Sequence, residues 1–117
     1  MLTKILGTLI ASVDGAEGAI FLDNDGESIA QAGAMAADIK LLGAWKEIHL
    51  DHIKEITGRL GLGTVHAVLF SLEDGNQLIA PVSNDYCLLL LLSSYANIQQ
   101  AMARLRIAVD ELITEVS

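Results

Sequence analysis

Among 117 residues there is one cysteine, one proline and seven basic side chains, and each shortage excludes something. Lone Cys87 cannot close an internal disulfide, which fits a reducing cytoplasm, and its place in an apolar run marks it as a buried, inert thiol. Seven Lys and Arg against fifteen Asp and Glu give a net charge of -8 with no basic cluster. The footprint that nucleic acid needs is therefore missing, as is the polybasic face that an anionic membrane would attract. No segment approaches the roughly 20 apolar residues of a membrane span. The N-terminus carries only Lys4 and spaced apolar residues, which is not a signal-peptide pattern. No composition shift or Pro/Gly/Ser-rich linker divides the chain, so residues 1–117 are expected to form one domain. Pro81 cannot donate a ladder hydrogen bond and is expected at a strand end or bulge.

Apolar residues, by contrast, are in surplus: the composition is 52% hydrophobic and only 19% charged. For a domain this small, that excess points to a buried subunit interface. Its densest stretch is Tyr86-Cys87-Leu88-Leu89-Leu90-Leu91-Leu92. With no polar alternation, these residues send apolar side chains to both faces of a sheet, so the strand must be central and both faces must be covered. Ser83-Asn84-Asp85 before it and Ser93-Ser94 after it are turn chemistry.

The rest of the chain supplies the covers. Leu2, Ile5, Leu6, Leu9, Ile10 and Val13 share one stripe of a short helix that ends at Asp14-Gly15. Ala19 to Leu22 reads as a strand, Asp25-Gly26 as a hairpin turn, and Glu27 to Gln31 as an outer strand. From Asp38, in N-cap position, a helical pattern runs to about Arg59, stopped by Gly58 or Gly61. At 100° per residue, Ile39, Leu42, His49, Leu50, Ile53, Ile56 and Leu60 share a face that Leu41, Trp45, Ile48 and His52 extend sideways. Lys40, Glu47, Asp51, Lys54 and Glu55 lie opposite, as a solvated face and candidate contact surface for another protein. The apolar arc, roughly 200° wide, exceeds the ~100° stripe one sheet needs, which implies a second apolar neighbour. Thr64 to Leu72 reads as a strand, Glu73-Asp74-Gly75 as a turn, and Gln77 to Val82 as the next strand. Asn97, with Gln100 three residues on, opens a last helix whose inward stripe includes Ala101, Leu105, Ala108 and Leu112.

The order helix, two strands, long helix, three strands, helix resembles the roadblock/dynein light chain family. Gly18-Ala19-Ile20-Phe21-Leu22-Asp23-Asn24-Asp25-Gly26 with Ser28-Ile29-Ala30 carries the likeness, as does the apolar strand leading to Asn97 and Arg104. The resemblance implies an α+β fold: a five-stranded antiparallel sheet, its last strand in the middle, with the long helix on one face and the two terminal helices on the other. It also implies a homodimer that pairs third strands and packs the two long helices together, which places Leu41, Trp45, Ile48, His52, Val65, His66, Val68 and Phe70 at the interface. The function so implied is a non-catalytic module, cytoplasmic and without cofactor, that binds a small Ras-like GTPase and activates or scaffolds it. A rival from another class is a profilin-like or PAS/GAF-type sensory domain holding a small molecule between sheet and long helix, with Ser28, Gly43 and His49 as hints of the small or polar lining a pocket needs.

Other constellations favour their plainer readings. His49 and His52 are three residues apart, not the four of a helical zinc pair, and no third ligand stands out. Gly61-Leu62-Gly63 follows a helix and opens a strand, the reverse of a nucleotide fingerprint. Asp23, Asp25 and Glu27 lack the remaining ligands of a calcium loop. Ser71, Ser83, Ser93 and Ser94 have no nucleophile-elbow context, so no catalytic residue is assigned.

Overall fold

A computed structural model describes residues 1–33 and 39–117, with side chains except at positions 39–45 and 47. The elements run α1 (Leu2–Ala11), β1 (Ala16–Asp23), β2 (Ser28–Gly33), α2 (Ile39–Arg59), β3 (Val68–Leu72), β4 (Gly75–Val82), β5 (Tyr86–Leu92) and α3 (Ile98–Val116). The five strands form one antiparallel sheet in the order β2-β1-β5-β4-β3. As its unbroken apolar sequence requires, β5 is the central strand; β2 is an edge, as its weak alternation predicts.

Each face has its own core. Alternate residues Ala19, Phe21, Leu78, Ala80, Leu88, Leu90 and Leu92 pack beneath α1 and α3, which contribute Leu6, Leu9, Ala101, Leu105 and Leu112. Phe21 stacks on Tyr86, with ring centroids 5.1 Å apart. The opposite alternates, Ile20, Leu22, Ile79, Cys87 and Leu89, pack against Leu50 of α2.

Local chemistry sets the boundaries. The amides of Asp25 and Glu27 both donate to Asp23 Oδ1, an Asx turn that lets Gly26 take φ 77° and close the first hairpin. Helix α2 ends in a Schellman motif: Leu62 N–H donates to Thr57 O at 3.0 Å, Gly61 N–H donates to Gly58 O at 3.2 Å, and Gly61 has φ 67°. That turn is what Gly61-Leu62-Gly63 is for. At α3, Asn97 Oδ1 accepts from Gln100 N–H at 3.0 Å, as expected. The reciprocal bond of a capping box is replaced: Gln100 Oε1 accepts from Asp14 N–H at 2.8 Å, while Asn97 N–H donates to Asp14 O. The pair thus ties the end of α1 to the start of α3.

One expected strand is shorter than its sequence suggested. In β3, Val68 stands opposite Ile79, so continuing the register two residues back would set His66 against Pro81. Proline has no N–H to give, and the ladder begins only at Val68. Residues 64–67 therefore run beside the end of β4 without joining the sheet. Asp38, the expected N-cap of α2, lies outside the described residues.

Candidate functional site

The candidate residues fall into three places, two of them singled out by sequence. First is the β3 edge and the α2 surface beside it. Val68 and Phe70 alternate toward the α2 side of the sheet and are half-buried, as is Val65 just before the strand. Along α2, Ile48 and His52 are exposed. The free backbone edge of β3 carries Leu69 and Leu72 exposed, and α2 reaches this strand through Lys46 and His49, which lie against Phe70. The side chains of Leu41 and Trp45, also expected here, lie outside the described residues.

Second is the polar side of α2. Asp51 and Glu55 are exposed, as expected, and Glu55 is bound by Arg59 at 2.8 Å. Lys54 departs from its assignment to a solvated face: it is half-buried and leans over a cleft with Thr57. Residues 63–67, which do not join the sheet, line the same cleft. Lys40 and Glu47, the remaining members, have side chains outside the described residues.

Third is a residue that sequence reading passed over. Lys46 is 9% exposed, and its Nζ sits 4.0 Å from the centroid of the Phe70 ring, a cation–π contact. The His49 ring lies 5.9 Å from the same centroid. Cross-strand from Phe70 is Gln77, whose buried Oε1 has no hydrogen-bond partner among the described residues. Burial holds the Lys46 amine below its ordinary value of 10.5. Spacing carried a signal for Lys46: positions 39, 42, 46, 50 and 53 make one continuous helical stripe, and Lys46 is its only charged member.

Of the three hints for a ligand between sheet and α2, Gly43 lies where side chains are not described, and Ser28 and His49 are not brought together. Ser28 is on edge strand β2, whereas His49 lies over Phe70 at the opposite edge. No group of three or more metal-binding side chains is assembled among the described residues.

A sheet in the order β2-β1-β5-β4-β3, with one long helix on one face and the two terminal helices on the other, is the roadblock/LC7 fold. Among solved structures, Myxococcus xanthus MglB superposes with a TM-score of 0.90 at 15% identity, over 98% of this chain and 94% of that one. A roadblock/LC7 domain from Streptomyces avermitilis matches with a TM-score of 0.88 at 16% identity, covering 97% and 96%. MglC from Myxococcus xanthus is more similar in sequence, at 27% identity over 98% and 99%, and less so in shape, with a TM-score of 0.69. No protein-family model matches the sequence, and no curated protein matches it either.

Proposed function

We propose that the chain is a homodimeric interaction module of the cytoplasm that binds a small Ras-like GTPase and regulates it, as activator or scaffold, without supplying a catalytic residue. The observation that carries this reading is the pairing, in one subunit, of an unpaired β3 edge with a wet apolar flank on α2. Ile48 is 44% exposed and Ile56 56%, a poor arrangement for a chain that ends its assembly as a monomer. A second copy pairing through β3 would satisfy the free backbone groups and cover both helix flanks at once. The roadblock/LC7 fold supports the reading, because binding small GTPases is what the family resemblance implies. The net charge of -8 speaks against nucleic acid, and no helix among the described residues is long and apolar enough to cross a membrane.

Asp51 and Glu55, exposed on the same helix, are the described part of the surface left for the GTPase once two copies have met. Capture of small GTPases from the source organism, loaded separately with GDP and with a GTP analogue, tests the regulatory part. The expected result is retention in one nucleotide state at least tenfold above the other. Negligible retention in both contradicts it.

A further inference from the structure

Where β3 stops short, the structure opens a cleft of about 580 Å³. Residues 63–67 form one wall, the end of β4 and its turn supply Pro81, Ser83 and Asn84, and α3 supplies Met102, Arg106, Val109, Asp110 and Ile113. Lys54 and Thr57 reach over it from α2. None of this needs a second chain.

The chemistry of the lining is uneven. Val65, Pro81, Met102, Val109 and Ile113 make apolar walls, while Lys54, His66 and Arg106 bring basic nitrogen to the same space. Lys54 and Arg106 against the one carboxylate, Asp110, leave the lining with an excess of positive charge inside a chain whose net charge is -8. Neither cation makes an ion pair among the described residues; the ion pair there is Arg59 with Glu55, outside the cleft. In so acidic a protein, two unpaired cations beside an apolar trough form a local complement to an anion with a greasy body. The volume also falls within the roughly 300–1,000 Å³ of small-molecule sites, which are apolar with a few placed polar groups.

We propose that this cleft binds a small amphipathic anion, a carboxylate or phosphate on an apolar tail, with Lys54 and Arg106 holding the charged head and Met102, Val109 and Ile113 the tail. His66 stands at the same mouth and adds a hydrogen-bond donor. The site differs from a sensory pocket between sheet and α2, since neither His49 nor Ser28 lines it.

Decanoate is a suitable probe, titrated into the full chain by calorimetry and followed by amide chemical shifts. The expected result is saturable binding, with shifts centred on residues 63–67 and the Met102 to Ile113 stretch. Decanol, with the same tail and no charge, should bind at least tenfold more weakly. Arg106→Glu and Lys54→Glu should each weaken decanoate about tenfold, whereas Arg104→Glu, on the same helix but outside the cleft, should not. Each variant's thermal unfolding is compared with wild type to separate loss of binding from loss of fold. Equal affinity for decanol and decanoate, shifts centred elsewhere, or an Arg104→Glu effect as large as that of Arg106→Glu would each overturn the assignment.

Discussion

Helices α2 and α3 lie on opposite faces of one sheet and treat it differently. Ala101, Leu105, Ala108 and Leu112 of α3 are buried at regular helical spacing, and together with α1 they build the larger core on their face. Along the described part of α2, from residue 46 to 59, the buried side chains are Leu50 and, among the charged residues, Lys46. Ile48 and Ile56 stay wet. One helix therefore buries a full inward stripe within its own chain and leaves Met102 and Ile107 wet on its outer side, while the described part of the other buries little and keeps apolar side chains exposed along its length. The difference separates what holds the subunit together from what is left for another surface.

The sharpest way to break that comparison is to truncate one residue on each face. Phe21→Ala, in the larger core, should cost about 3–5 kcal/mol in denaturant unfolding at fixed protein concentration. Ile56→Ala should change the stability of the separated subunit by no more than about 0.5 kcal/mol. Comparable losses at the two sites would erase the distinction. Next in size is Phe70→Asp, which puts a carboxylate on the β3 edge beside α2. It should raise the dimer dissociation constant roughly 100-fold, about 2.7 kcal/mol, as read from sedimentation across a dilution series. An unchanged constant would move the interface elsewhere.

A smaller effect is expected at Asn97→Ala, which removes the side-chain cap of α3 and should cost about 1 kcal/mol. Loss of less than a few tenths would mean that the Asp14 contacts alone hold the helix start. Subtlest is the pH response of Lys46. Its folded-state pKa lies below 10.5, so between that value and 10.5 the unfolded chain binds more protons and stability rises with pH. Below that window the charged amine carries its desolvation cost in full. Lys46→Met should therefore be the more stable protein at neutral pH, with the gap to wild type narrowing as pH climbs toward 10.5. A gap that widens instead would mean that the amine is stabilised by a partner.

Much of this was legible in the residues. The unbroken Tyr86–Leu92 run required a central strand, because only a strand covered on both faces can use apolar side chains on both. The Asn97 cap and the Asp-Gly turn were readable because their chemistry is local. The start of β3 was not: Val65 and His66 have strand-like neighbours, and what stops the ladder is Pro81, fifteen positions on and brought opposite only by the fold. The cleft went unseen for the same reason, since α2, α3 and the 63–67 segment meet there through tertiary packing. The partner of Gln100 was missed likewise, being Asp14 some 86 residues away. Lys46 was missed differently: its charge suggested the wet side of the helix, although its position in the stripe pointed inward.

The central claim is that α2 and the β3 edge of a lone subunit are unfinished until a second copy covers them. Light scattering coupled to size-exclusion chromatography, with the full chain loaded from about 1 to 100 μM, addresses it directly. A mass of twice 12.5 kDa over the upper part of that range is predicted. A mass of 12.5 kDa at every loading, from a protein that stays folded and in solution, would contradict it.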